Sequence, residues 1–371
     1  MNSRARPPFQ SRRRRLLGAG LAGLTLWAGA TPVRSLRLPM VFPRDYGSHP
    51  DFRTEWWYIT GYATAHDSLG PREFGFQLTF FRSRVMATQA LTSAFAAKQL
   101  IFAHAALTDV RGKKMRHDQR IARSSGHPGF DLASASEQDT DITLRDWSLV
   151  HQGRSYAARL PAHGFDLELR CDETQPVLLQ GDHGLSRKGP LPGETSHYYS
   201  QPQLTAQGTL RLGSQSFDII AGRAWLDHEW SDDLLDSRAV GWDWIGMNLH
   251  DGSALTAFRI RDGAGNALWD GGSFRDASGD LKIFRHGKVV FSALRRWKSP
   301  ATQTVYPVQW RVSTPAGTYV VSAVIANQEL DSRASTGAVY WEGLSDLADS
   351  DGRPVGRGYL EMTGYTQPLR L

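Results

Sequence analysis

Four stretches of the 371-residue sequence bring carboxylates, a histidine and aromatic rings close enough together to suggest chemistry. They are "EWWYITG" at 55–61, "AWLDHEWS" at 224–231, "GWDWIGMNL" at 241–249, and a C-terminal pair, "VYWEGL" at 339–344 with "GRGYLEMTGY" at 356–365. Residues of period two on a strand share a face. If 225–230 is extended, His228 and Trp230 share one face and Asp227 and Glu229 the other. In 242–249, Trp242, Trp244 and Asn248 fall together, and Asp243 joins Ile245, Met247 and Leu249. A carboxyl on an apolar face is costly when charged, and burial raises its pKa. Asp243 is therefore a candidate proton donor. The structural alternative is an Asp243 that binds a backbone amide or an arginine and staples its strand. His228, between Asp227 and Glu229, is either a proton relay that orients water or a histidine in a strand-end network. Glu55, Trp56, Trp57, Tyr58, Tyr199, Trp230, Trp242, Trp244, Tyr340 and Trp341 are the candidates for lining a site that binds an apolar molecule.

Other chemistries lack their motifs. The sequence has no Gly-x-Ser-x-Gly elbow, Walker loop or dinucleotide fingerprint, and no His-Glu-x-x-His. Asp227, His228 and Glu229 alternate faces on a strand and cannot converge on one ion. No metal and no cofactor are therefore expected. The single cysteine, Cys171, cannot form an internal disulfide and sits in the alternating "GFDLELRC", where packing is the expected role.

The elements that must carry these residues are strands. "EFGFQLTFF" alternates with Phe74, Phe76, Leu78 and Phe80 on one face; Ile142, Leu144, Trp147 and Leu149, and then Phe165, Leu167 and Leu169, repeat the pattern. Turn signals separate such runs at 250–253, 261–266, 276–280, 314–317 and 349–354. Many short strands joined by hairpins indicate antiparallel sandwiches or barrels. "MATQALTSAFAAKQ" at 86–99 lacks alternation and reads as a helix or partly helical connection; "SDDLLDS" at 231–237 is the candidate junction between two strand-rich halves.

Arg12–Arg15, the apolar run "LLGAGLAGLTLWAGA" and Ala28-Gly29-Ala30 have the order of an export signal, and "SRRRRLLG" resembles a twin-arginine one. Residues 1–30 hold six arginines and no Lys, Asp or Glu, so without them the formal charge of +6 falls to zero. No basic tract for nucleic acid remains.

"EWWYITG", "HYYSQPQL" at 197–204, "DHEWS", "GWDWIGMNL" and "GYLEMTGY", in that order, resemble the secreted AttH-like family, a relative of bacterial carotenoid 1,2-hydratases. The resemblance covers most of 45–371. It implies an all-β chain of two tandem lipocalin-like antiparallel barrels with few short helices, here 36–232 and 238–371 after the signal at 1–30. For the hydratases it also implies acid-catalysed addition of water to a C=C bond, with His228, Trp230 and Asp243 loosely matching the pattern. Here the tyrosine-rich acid motif of those enzymes is replaced by Trp242-Asp243-Trp244. The function expected is a periplasmic or secreted hydratase-like enzyme for an apolar, isoprenoid-like molecule. The alternatives are a non-catalytic carrier of apolar compounds accompanying an ABC transporter, and a secreted hydrolase.

Overall fold

The computed structural model describes residues 39–369 apart from 128, 233 and 234. The export signal expected at 1–30 lies outside the described residues, as does part of the 231–237 connection. From Pro39 onward the chain packs as one compact unit built on two antiparallel sheets.

The first sheet runs from Thr54 to Ser231. Its strand order begins Lys114–Ser124, Gln99–Asp109, Gly70–Arg84, Thr54–Asp67, Gln215–Ser231, Thr195–Leu212 and ends at Ala133–Ala135, whose approach to Lys114–Ser124 nearly closes a barrel. The second, from Ala239 to Met362, places Ala239–Leu249 between Ala254–Asp262 and Pro354–Met362, with Val339–Ala348 beyond. This is the all-β, lipocalin-like architecture that the family resemblance implied. The turn signals all connect strands; Gly252, Gly265, Gly279, Gly317 and Gly352 in them have positive φ. Of the helix or partly helical connection expected at 86–99, the structure has the second, with a single helical turn. Met86–Thr88 is a three-residue 3-10 turn, and the rest is an irregular loop that leaves Leu91 and Phe95 exposed.

Each barrel has a filled interior. Phe74, Phe76, Leu78 and Phe80 are fully buried in the first with Trp57, Trp147 and Tyr199; Ile245, Met247, Trp310 and Trp341 fill the second. A third apolar cluster lies between the sheets, where the outer faces of Thr54–Asp67 and Gln215–Ser231 meet those of Ala239–Leu249, Val339–Ala348 and Pro354–Met362. Close approach there needs glycine. A Cβ on Gly75 would stand 2.9 Å from the Leu344 Cβ, and one on Gly246 would stand 2.3 Å from the Trp244 ring. Polar staples fix the register between sheets. The Gln203 N–H donates to Asn248 Oδ1 at 2.8 Å, and Asn248 Nδ2 donates to the Ala224 carbonyl at 3.1 Å.

One end of the first barrel is closed by residues 40–52, held through Glu55. Arg82 Nε donates to Glu55 Oε2 at 2.7 Å, and its Nη2 donates to the carbonyls of both His49 and Phe52. His49 Nδ1 lies 2.7 Å and His228 Nε2 2.9 Å from Glu55 Oε1, and the His49 N–H also donates to this carboxylate. The Trp57 indole donates to the Tyr46 carbonyl at 3.1 Å and stacks on His228. Burial alone would raise the Glu55 pKa. The bonds from His228 and His49 and the Arg82 charge outweigh it and hold the carboxyl well below its ordinary range. Glu55→Gln is expected to cost about 3–5 kcal/mol, because it leaves the Arg82 guanidinium buried without its counter-charge. A urea titration checks this. The group's folded pKa is depressed, so the wild type also loses this stabilisation as pH falls through the carboxylate range, and the gap to the variant narrows.

Candidate active site between the barrels

A cavity of about 320 Å³ lies between the two sheets and is lined mainly by apolar and aromatic side chains. That volume suits a drug-sized molecule. Strand parity decides which side chains reach it. On Thr54–Asp67, Trp56 and Tyr58 point toward the second sheet, and Glu55 and Trp57 point into the first barrel. On Gln215–Ser231, Asp227 and Glu229 face the cavity, and His228 and Trp230 lie inside the first barrel. On Ala239–Leu249, Trp242 and Trp244 line the cavity, and Asp243 faces the second barrel's interior with Ile245 and Met247. The same alternation sends Tyr340 to the cavity and Trp341 to the second barrel's core.

The candidates thus divide. Trp56, Tyr58, Trp242, Trp244, Tyr340, Asp227 and Glu229 border one space. The side chains of Glu55, Trp57, Tyr199, His228, Trp230 and Trp341 belong to barrel interiors. Asp243 corrects the expectation most sharply. Arg259 Nε and Arg261 Nε lie 2.7 and 2.9 Å from its Oδ2, and the Tyr365 hydroxyl donates to Oδ1 at 2.8 Å. A carboxyl shared by two guanidinium groups is a staple and not a proton donor. His228 is not oriented by Asp227 or Glu229 either. Its nitrogens meet Glu55 and the Tyr199 hydroxyl, the latter at 3.0 Å, and burial lowers its pKa to about 4.

The residues that the sequence reading passed over are Glu342 and Glu361. They are direct cross-strand partners on Val339–Ala348 and Pro354–Met362, and both line the cavity. Glu342 is buried beside the Tyr58 and Tyr340 hydroxyls, but neither its Oε1 nor the Tyr58 hydroxyl makes a well-formed hydrogen bond. Burial, and then the Glu361 charge, push the Glu342 carboxyl well above its ordinary range. Glu361 is raised to about 7, again by burial first, with the Trp242 indole opposing and Asp227 and Glu229 adding to the rise. The other two acids are well provided with donors. Asp227 accepts from the Ser200 and Tyr198 hydroxyls and the Trp225 indole at 2.5, 2.8 and 2.7 Å; burial still lifts it to about 7. Glu229 accepts from Ser196 and pairs with Lys188 Nζ at 2.8 Å.

His104 completes the wall. Burial lowers its pKa to about 3, so its ring is neutral. The Ser335 hydroxyl donates to Gln119 Oε1 at 2.6 Å, so the Ser335 oxygen must accept from His104 Nε2–H at 2.8 Å. His104 Nδ1 then accepts from the Tyr340 hydroxyl at 2.7 Å. The Tyr340 proton thus points to His104, and the Tyr58 and Tyr340 hydroxyls beside Glu342 only partly offset the effect of burial on its carboxyl. The pair is within reach of the sequence, because both glutamates lie in the C-terminal aromatic stretches "VYWEGL" and "GYLEMTGY". Parity applied to them puts Tyr340 with Glu342 and Tyr359 with Glu361.

A metal does not suit the one cluster of ligand type found among the described residues, His49, Glu55 and His228, whose donor atoms lie within 4.8 Å. The Arg82 guanidinium 2.7 Å from Glu55 already supplies the positive charge there.

Two packed lipocalin-like barrels with an acid-bearing aromatic chamber between them define the class of the protein. The AttH-like family model matches residues 33–365, and the chain belongs to that family. It is similar to a crystal structure described as an AttH from Nitrosomonas europaea, at 44% identity and a TM-score of 0.81, covering 88% of this chain and 98% of that one. It shares its fold, at 14% identity and a TM-score of 0.65, with kievitone hydratase from Nectria haematococca, covering 89% and 94% of the two chains. A search of the curated proteins finds no significant match.

A carboxyl whose folded pKa is raised binds its proton more tightly when folded, so its contribution to stability falls as pH rises through the raised value. Glu361→Gln should therefore raise the melting temperature at pH 8, by an amount worth about 1–2 kcal/mol, and change it little at pH 4. Thermal melts of both proteins at the two pH values check this.

Proposed function

We propose that the chain adds water across a C=C bond of an apolar molecule held in the inter-barrel chamber. The observation that carries the reading is the desolvated, directly opposed pair Glu342 and Glu361 among electron-rich rings. A neutral Glu342 donates its proton to the less substituted alkene carbon, and the π electrons form the new C–H bond. The more substituted carbon becomes cationic. Trp56, Trp244 and Tyr58 line this space, and their ring faces stabilise such a charge. Water adds through oxygen and gives up a proton to the carboxylate of the pair, which restores the acid. Alkene and water are consumed and an alcohol is formed. The fold shared with a protein named as a hydratase is consistent with this chemistry. The export-signal pattern of residues 1–30 supports placing the reaction outside the cytoplasm.

The test offers acyclic terpenoid alkenes with trisubstituted terminal double bonds and follows uptake of isotopically labelled water by mass spectrometry. Glu342→Gln should lower turnover by about 10²–10⁴-fold, with binding of the alkene retained. Undiminished turnover in this variant would remove Glu342 from the mechanism. Tight binding by the wild type with no labelled product would make the chamber that of a carrier, the reading in which the chain accompanies a transporter.

A further inference from the structure

We infer that the mouth of the chamber is built to sit on a lipid membrane, so that an apolar ligand enters without crossing water. This rests on the chamber being an apolar-ligand site, and its test does not need turnover. Five large apolar side chains stand in solvent on two adjoining connections. Met86 is 66% exposed, Leu91 49% and Phe95 69% on one; Phe130 and Leu132 are each 57% exposed on the other. The connections touch. The Phe95 and Phe130 ring centroids are 6.1 Å apart, the Arg123 guanidinium lies over Phe95 at 5.4 Å, and Arg123 also donates to the Ala94 carbonyl. Contiguous exposed apolar surface of this kind marks an interaction site.

The patch runs into the chamber. Gln99–Asp109 and Lys114–Ser124 emerge from these connections as neighbouring strands, with Leu100 opposite Arg123 and Phe102 opposite Ile121. Leu100, Phe102 and Ile121 all line the chamber, and Ile121 is also 36% exposed, so it stands at the opening. Charge favours a lipid surface as the occupant. Residues 84–98 contain Arg84 and Lys98 and no acidic residue, and the neighbouring Arg123 is paired with Asp131 at 3.6 Å. Asp131, next to Phe130 in sequence, is neutralised by Arg123 and accepts from the N–H groups of Ser125 and Gly126 and from the Ser125 hydroxyl. Exposed aromatic and aliphatic tips on a connection that carries Arg84 and Lys98 and no acid suit the boundary between acyl chains and anionic headgroups. Among the described residues no helix is long and apolar enough to cross a membrane. Surface docking by these side chains would give the chamber direct access to a ligand dissolved in the bilayer.

The experiment is co-sedimentation of the purified chain with vesicles of phosphatidylcholine, alone or mixed with phosphatidylglycerol. The wild type should bind both, and the mixed vesicles more tightly at low salt. Phe95→Ser combined with Phe130→Ser should weaken binding by about tenfold or more without lowering the melting temperature, since both rings are exposed. Failure of the wild type to bind either vesicle, or equal binding by the double variant, overturns the inference. So does self-association in sedimentation velocity that the double variant abolishes while neither protein binds vesicles, because the patch would then be covered by a second copy. Vesicle binding in a protein that hydrates no alkene supports the docking surface and counts against hydration alone.

Discussion

Burial on both faces of the central strands is the constraint on which the rest depends. Ordinary barrels turn one face inward and the other to solvent. Here Thr54–Asp67, Gln215–Ser231, Ala239–Leu249 and Val339–Ala348 have a barrel interior on one side and the opposite sheet on the other. Their sequences must therefore supply apolar bulk at consecutive positions, and "EWWYITG" and "GWDWIGMNL" do so. In the first, Trp57 fills a core and Trp56 faces the chamber; in the second, Trp242 and Trp244 face the chamber and Ile245 and Met247 fill a core.

Buried carboxyls take opposite roles in this frame according to the donors around them. Glu55 receives a guanidinium, two imidazoles and a backbone N–H, and its charge becomes the fastening of the first barrel's end. Asp243 is fixed by two arginines in the second barrel. Glu342 and Glu361 face one another with Tyr340's proton drawn away by His104, so their environment favours a retained proton. One residue type thus provides both structural anchors and an acid, and environment alone makes the difference.

Much of this was legible in the sequence. Alternation gave the all-β architecture, the core faces of 74–80, 142–149 and 165–169, and the face-sharing of His228 with Trp230 and of Asp243 with Ile245. Parity could not say which face is core and which is chamber, because both are apolar when both are buried. Asp243 and His228, both candidates on sequence grounds, lie inside different barrels for this reason. The partners of Asp243 were also hidden. Arg259 sits opposite it only through the register of the next strand, with Arg261 two positions further along. The 86–99 segment misled because its alanines favour a helix locally while no apolar face docks against the sheet; its large side chains remain in solvent instead.

The central claim is that a carboxyl group of the Glu342–Glu361 pair keeps its proton at neutral pH in the chamber. Infrared difference spectra of the wild type against Glu342→Gln and Glu361→Gln at neutral pH test it directly. The account predicts a protonated-carboxyl C=O band in the wild type that is lost or shifted in each variant. A wild-type spectrum with only ionised carboxylate bands from these two positions would contradict it.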